Sequence, residues 1–306
     1  MALGDGIRRN LASITKAERI RFRDAFFALD DHSNPTVKYA DGTTFWDKQE
    51  DVHKFAHAGG QDVHGGPAFL AWHRELCNRL EEQIRAVDPQ LSLHYWDWST
   101  DPRATARGRR SPVNLFTHAM MGDDGHEGVN QVNGAGGDAG VPFQEFETTE
   151  GNGHTFIWRD VMFGAPAINS DHTILTIADP SSPDQQFDVF NNALQAAHNF
   201  VHSAFIRGTI FNAHFSFHDP FVFLLHSNVD RLWAKWQTAK GSSWRLDPDR
   251  IYGVIGADPT SSVNKPLGPW DGSSDLFPWN PAGGQSVSKT AKHPTLIKPP
   301  RYDKNN

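Results

Sequence analysis

Residues 187–206, FDVFNNALQAAHNFVHSAFI, and residues 221–237, FVFLLHSNVDRLWAKWQ, decide the fold of this chain. In the first segment, apolar residues and two histidines, His198 and His202, recur at every fourth position. This period predicts a helix with both imidazoles on one largely buried face. The second segment predicts a helix whose inward face carries His226, opened by a proline in its first turn. Two imidazoles four residues apart and a third on a facing helix make half of a metal site.

A second group of histidines lies nearer the start of the chain. The segment TTFWDKQEDVHKFAHA predicts a helix that carries His53 and His57, of which only one need be a ligand. His64 follows in a loop, and the next predicted helix carries His73 on its apolar face. This group therefore predicts a second triad, made of His64, His73 and either His53 or His57.

The composition describes a globular protein and excludes several classes of partner. The chain has 306 residues, 38% of them hydrophobic, and a formal charge of −7 without long runs of either sign. We therefore expect no binding of nucleic acid and no association with a membrane. Cys77 is the single cysteine, which rules out an intrachain disulfide, and the first thirty residues lack a signal-peptide pattern. A cytoplasmic location is the default expectation, with export by a separate partner left open.

The remaining sequence predicts one domain over residues 1–306. A helical core spans about residues 15–240 and begins at the capping-box spacing of Thr15 and Glu18. Between about Arg103 and Thr155 the composition turns to Gly, Asp and Asn, which predicts a long surface loop. The Pro- and Gly-rich tail, about residues 241–306, is expected to wrap the core with aromatic anchors, namely Trp270, Phe277 and Trp279.

The histidine content points to the identity of the metal. The chain has sixteen histidines, about twice the average usage for its length. A lone histidine on an apolar helix face is more often a hydrogen-bonded core residue than a ligand. Two groups of inward-facing histidines, however, would leave many buried imidazoles without carboxylate partners. No His-Glu-x-x-His motif and no pattern of two histidines with one carboxylate is present, and two all-imidazole triads indicate a pair of copper ions.

Four motifs together resemble those of the tyrosinase and catechol oxidase family of type 3 copper proteins. In chain order they are HGGPAFLAWHREL, LHYWDW, HNFVH and DPFVFLLHSNVDRLWAKWQ. The resemblance spans about residues 45–237, and the joint occurrence of the four motifs is far more specific than any one alone.

The resemblance implies both a ligand set and a fold. One copper ion would take His64, His73 and a histidine of the preceding helix, for which His53 is favoured over His57. The other copper ion would take His198, His202 and His226. The implied fold is mainly α, with a four-helix bundle enclosing the dinuclear copper site, long loops and little β structure.

The resemblance also implies an activity, which is oxidation of o-diphenols to o-quinones while O2, the co-substrate, is reduced to water. Family members also carry out ortho-hydroxylation of monophenols such as tyrosine. The alternatives are an o-aminophenol oxidase and a non-enzymatic, reversible O2 carrier of the hemocyanin type. The expected partners are a small phenolic substrate and a copper-delivery protein of the caddie type, and the sequence predicts no oligomeric state.

Two residues near His198 are implied to act on the substrate. Asn199 follows His198, as an asparagine does in many tyrosinases, and would orient a water near the phenol. The glutamate thought to hold the same water in relatives is here Gln195. Because an amide cannot accept a proton in this pH range, Gln195 argues against monophenol hydroxylation. Cys77 lies away from the position at which some relatives form a thioether, so no crosslink is predicted.

Overall fold

The protein is described by a computed structural model over residues 4–58, 63–107, 109–124, 157, 159–214, 216–270 and 288–303. Within these residues the helices are α1 Lys16–Leu29, α2 Asp47–Ala58, α3 Phe69–Val87, α4 Asp171–Thr176, α5 Pro183–Phe200, α6 Phe221–Gln237, α7 Gly253–Ala257 and α8 Pro294–Ile297. The strands are β1 Ile7–Arg8, β2 Thr105–Arg107, β3 Arg110–Val113, β4 Arg159–Val161, β5 Ile206–Gly208 and β6 Arg301–Tyr302. The mainly α fold with little β structure is confirmed, whereas the four-helix bundle stays a prediction.

Helix α1 begins as its sequence predicts. The Thr15 hydroxyl accepts a hydrogen bond from the Glu18 backbone N–H, and the Glu18 carboxylate accepts one from the Thr15 N–H. This reciprocal pair satisfies two backbone donors that would otherwise lack partners at the helix start. The apolar face of α1 then buries Phe22, Phe26 and Leu29 against the core.

The centre of the molecule is formed by α3 and α6, which pack against each other. Both helices are buried over much of their circumference, and Trp72 and Trp233 are fully buried. Burial of large aromatic side chains on both helices supplies much of the hydrophobic stabilisation of such a core. The same pair of helices carries His73 and His226, so the candidate ligands stand on the best-packed part of the fold.

The helix predicted over residues 187–206 differs in its last turns. Helix α5 ends at Phe200, residues Val201–Phe205 form a π-helical turn, and β5 follows and pairs antiparallel with β4. A π turn inserts one extra residue per turn and is common at functional sites. Here it carries His202, whose ring points inward and is hydrogen-bonded to the carbonyl of Ile210.

Helix α6 begins at Phe221, one residue after Pro220, which the sequence predicted to lie in the first turn. Asp219 lies two residues before the helix, and its carboxylate accepts a hydrogen bond from the Phe221 N–H at 2.9 Å. The same carboxylate receives Arg159 of β4 in a two-pronged ion pair, and both side chains are fully buried. This pair ties the small sheet of β4 and β5 to the start of the helix that carries His226.

Only part of the region predicted to be a long loop is described. Strands β2 and β3 form an antiparallel pair, and Phe116 and Met121 are buried. The region predicted to be a long surface loop therefore contains short strands and single apolar anchors, which leave little periodic signal in a sequence. Residues 125–156 lie outside the described part of the chain.

The tail packs on α3 and α6. Trp270 is fully buried and stacks on Trp72 with ring centroids 5.2 Å apart. The carbonyl of Leu296 accepts a hydrogen bond from Arg74 at 2.7 Å, and β6 runs parallel to β1. Two other predicted anchors, Phe277 and Trp279, lie outside the described residues. Among the helices that the structure describes, none combines the length and the apolar character that a membrane span requires.

Candidate metal centre

The structure brings six histidines together as two groups of three. His53, His64 and His73 form one group, and His198, His202 and His226 form the other. Within each group one ring nitrogen of every member lies within 4.8 Å of those of the other two. These are the six residues that the sequence and the family resemblance single out as metal ligands.

Helices position most of these side chains. His53 lies on α2, His73 on α3, His198 at the end of α5 and His226 in the middle of α6, each buried to within 2% of full burial. Since ligands on packed helices hold their geometry better than ligands on loops, this arrangement suits a preorganised site. His202 belongs to the π turn, and His64 alone lies in a loop.

Backbone carbonyls orient two of the imidazoles. His73 donates a hydrogen bond from Nδ1 to the carbonyl of Phe69 at 2.9 Å, and His202 donates one to the carbonyl of Ile210 at 2.7 Å. With the proton on Nδ1, each Nε2 carries a lone pair. Both Nε2 atoms are buried and have no hydrogen-bond partner. A metal ion would satisfy these acceptors, so the donor set fits a bound metal.

Burial keeps the six imidazoles neutral. Loss of hydration holds the pKa of His53, His73, His198 and His226 well below the ordinary value, and the neighbouring imidazoles push it down further. Burial also lowers the pKa of His64 and of His202 to about 4. Because only a neutral imidazole can donate a lone pair to a metal, the site is ready for metal binding near neutral pH.

The two triads adjoin each other. The rings of His73 and His226, one from each triad, stack with centroids 4.3 Å apart and planes 9° apart. Phe69 packs against His73 and His198, and Phe217 packs against His53 and His226. These aromatic rings give the adjoining triads an apolar surrounding.

A cavity of about 260 Å³ opens over the triads. Five of the six histidines line it, and His73 does not. The other lining residues are small, apolar or uncharged, apart from a seventh histidine: His57, Asn199, Ser203, Ile210, Phe211, Ala213 and Ser216. Phe211 is 60% exposed, so among the described residues the cavity reaches the protein surface.

The two residues predicted to act on the substrate take different places. Asn199 lines the cavity, and its side-chain oxygen lies 2.9 Å from Nδ1 of His198, where it accepts a hydrogen bond. Gln195 is 94% buried and is not among the cavity-lining residues. Its amide instead contacts the backbone of the loop that follows His64. Gln195 therefore contacts the loop that carries His64 and does not line the cavity.

His57, the alternative to His53 in the sequence, lies outside the first triad. Its Nδ1 is 3.1 Å from Nδ1 of His64, on the side of that ring opposite His53. Sequence reasoning missed this contact, and also the Ile210 carbonyl and the Phe217 ring, because none of them has a local sequence signal. A third group with ligand atoms, Asp30, His32 and Asp47, is partly exposed and lies on the outside of the fold.

The common central domain of tyrosinase matches residues 43–239 of this chain. This range includes both triads and the helices that carry them.

The chain belongs to the tyrosinase family. A tyrosinase from Streptomyces antibioticus is 28% identical over 288 residues, which cover 87% of this chain and 93% of that protein. Hemocyanin units G and H from Sepia officinalis are 25% identical over 249 residues, which cover 76% of this chain and 37% of that protein. The solved structure of a polyphenol oxidase from Thermothelomyces thermophila has a TM-score of 0.60 at 20% identity, covering 97% of this chain and 88% of that one. At that identity, the structural likeness shows the shared fold.

Enzymes of the tyrosinase family bind two copper ions, and the two triads could hold them. Copper is also among the metals that imidazole ligands suit. The family and the donor set therefore agree on the metal.

Proposed function

We propose that this protein is a copper-dependent oxidase that converts small o-diphenols to o-quinones. The observation that carries the proposal is the pair of adjoining all-histidine triads beneath one surface cavity without charged lining residues among those described. The overall reaction takes two electrons and two protons from each diphenol. Two diphenols therefore reduce one O2 to two waters.

Six side chains would hold the two metal ions. His53, His64 and His73 would bind one copper, and His198, His202 and His226 the other. Bound copper would supply the O2 binding and the two-electron redox chemistry that amino-acid side chains lack. The protein would contribute fixed positions, neutral ligands and aromatic packing around them.

The cavity suits a single aromatic ring. Its volume of about 260 Å³ lies just below the range of about 300–1,000 Å³ usual for ligand pockets. Ile210 and Phe211 offer apolar contacts to such a ring, while the carboxamide of Asn199 lines the cavity beside His198. We therefore expect simple catechols to be better substrates than bulky phenols.

Monophenol hydroxylation is expected to be weak. It needs a base that removes the phenol proton, and Gln195 neither titrates in this range nor reaches the cavity. The similarity to hemocyanin leaves one second candidate, a reversible O2 carrier. A carrier must exclude phenols from its metal pair, whereas this cavity reaches the surface beside Phe211 among the described residues.

The test is oxygen uptake by the copper-loaded protein with catechol, with o-aminophenol and tyrosine in parallel reactions. We expect catechol to drive uptake with formation of the quinone absorption band, and the metal-stripped protein to be inactive. Protein that demonstrably holds two coppers yet shows no uptake would support the carrier instead. Uptake with o-aminophenol but not with catechol would move the assignment to the aminophenol oxidase.

A further inference from the structure

His64 is the candidate ligand with the least support from secondary structure. It lies in a bend between α2 and α3, followed by Gly65, whose φ of +74° is the left-handed region that glycine favours. A ligand on such a loop loses more conformational freedom on binding metal than a ligand on a helix. Some other contact has to hold the imidazole in place if the site is preorganised.

Gln195 clamps the backbone that follows His64. Its Oε1 accepts a hydrogen bond from the Gly65 N–H at 2.8 Å, and its Nε2 donates one to the Gly66 carbonyl at 3.2 Å. Asn191, one turn earlier on α5, also donates to the Gly66 carbonyl, at 3.3 Å. Both ends of the Gln195 amide are thus engaged with neighbouring peptide groups, which an isosteric carboxylate could not reproduce because it lacks a donor.

His57 contacts the imidazole of His64 itself. The two Nδ1 atoms are 3.1 Å apart, and the two rings meet edge to face with centroids 5.0 Å apart. Nε2 of His64 points the other way and lies 3.2 Å from Nε2 of His53, inside the triad. For Nε2 to offer its lone pair to a metal, the proton of His64 must sit on Nδ1 and be donated to Nδ1 of His57.

We propose that Gln195 and His57 are the positioning residues of His64: the Gln195 amide fixes its backbone, and the His57 imidazole fixes its ring and tautomer. This inference rests on the proposed copper site. Neither residue belongs to a triad, and Gln195 does not line the cavity, whereas His57 does. Together they would fix the backbone and the ring of His64, as α3 and the Phe69 carbonyl fix those of His73.

The first experiment replaces the Gln195 amide by a carboxylate of the same size. Gln195→Glu keeps the acceptor for the Gly65 N–H but sets an oxygen against the Gly66 carbonyl in place of a donor. We expect the Cu(I) affinity of one of the two sites to fall by about 10- to 100-fold, as for other partners of metal ligands. The measurement is Cu(I) titration against a chromophoric chelator, with copper stoichiometry after desalting.

Gln185→Glu is the matched control. It makes the same charge change on the exposed first turn of α5, at the other end of the helix from Gln195. We expect it to bind two coppers with unchanged affinity. The thermal midpoint of each metal-free variant shows that the fold is intact, which separates loss of a metal site from loss of structure. Unchanged copper affinity in a folded Gln195→Glu protein would contradict the proposed positioning role of Gln195.

The second experiment tests the hydrogen bond at His57. His57→Leu removes the acceptor and should weaken one copper site, whereas His57→Asn presents an oxygen near the position of Nδ1 and should restore most of the affinity. His214→Leu serves as control, because the His214 ring packs against His57 at 5.3 Å but no hydrogen bond joins it to His64 in the structure. Equal losses in the Leu and Asn variants, or no loss in either, would contradict the assigned role.

These outcomes are distinct from failure of the proposed function. If the unaltered protein bound no copper, the dicopper oxidase itself would be wrong. If it bound two coppers and oxidised catechol while the Gln195 and His57 variants bound copper with unchanged affinity, only the positioning role would be wrong.

Discussion

At the residue scale, a contact at Nδ1 decides what four of the six imidazoles can do. His73 and His202 donate to backbone carbonyls, His198 to the side chain of Asn199, and His64 faces His57. Each of these bonds leaves the other ring nitrogen as a lone-pair donor turned toward the triad. These partners therefore orient four of the six histidines of the candidate metal centre.

Replacing one ligand should empty one metal position. We expect His202→Ala to retain roughly one copper in place of two and to lose oxidase activity, because the remaining pair of imidazoles leaves an open and weakly held site. The helix content by circular dichroism should change little, since a single side chain in the π turn is removed. His172→Ala, at an exposed position on α4, is the control. Full activity of His202→Ala would remove this residue from the ligand set.

Acid should destabilise the metal-free protein in part through His94. This histidine is buried outside the metal centre, where its Nδ1 accepts a hydrogen bond from the Arg9 N–H, and burial lowers its pKa to about 4. Between pH 6.5 and about 4 the unfolded chain therefore carries a proton on His94 that the folded protein lacks, so stability falls as the pH falls.

The loss in the free energy of unfolding that is due to His94 amounts to about 3 kcal/mol at pH 4, from about 1.4 kcal/mol per pKa unit. Urea unfolding at pH 7 and pH 4.5 should show a smaller stability difference for His94→Gln than for the unaltered protein. Identical pH dependence in both proteins would mean that His94 is not buried as a neutral group.

At the element scale, the C-terminal end of α5 places two of the six histidines. Helix α5 carries His198 in its last turn and passes into the π turn that carries His202. The start of α5 is held by α7, which packs on it. The packing is close at Gly253, where an added Cβ would lie 2.1 Å from the carbonyl oxygen of Asp184.

Gly253→Ala should therefore destabilise the folded protein. We expect a loss of about 2–4 kcal/mol in the free energy of unfolding, since the methyl group overlaps the Asp184 backbone and Gly253 has a φ of +49°. Gly241→Ala is the matched control: its φ is +82°, yet nothing lies within 4 Å of the added Cβ. It should cost about 1–2 kcal/mol, the price of a left-handed conformation alone. Equal losses at the two positions in urea unfolding would show that α7 does not pack tightly on α5.

At the scale of the whole molecule, one buried polar network joins both ends of the described chain to the core. Arg8 of β1 contacts Glu81 of α3 at 2.7 Å and Asp230 of α6 at 2.8 Å. Tyr302 of β6 donates a hydrogen bond to the same Asp230 carboxylate at 2.8 Å. Buried charges need such complete pairing, because an unpaired member would carry a large desolvation cost. We infer from this network that the tail and the helical core unfold as one unit.

Tyr302→Phe tests this cooperativity. Loss of the hydroxyl leaves Asp230 with one donor fewer in a buried place, so we expect a loss of about 1–3 kcal/mol. Unfolding should remain a single transition that coincides for fluorescence and circular dichroism. Lys298→Ala, on the exposed side of the same segment, should change stability by less than about 0.5 kcal/mol. Two separate transitions would mean that the tail is an independent layer and would contradict the single-domain prediction for residues 1–306.

Local patterns in the sequence by themselves determined the long helices, the capping box at Thr15 and the inward-facing histidines, which are His73, His198, His202 and His226. These features depend on neighbours three or four positions away, which a sequence displays directly. Only the tertiary structure grouped His53 rather than His57 with His64 and His73 and ended α5 in a π turn. It also turned Gln195 toward the His64 loop. The contact between Gly65 and Gln195 joins positions 130 apart in the chain. Such contacts arise from the packing of whole helices, and no periodicity in a single sequence encodes them.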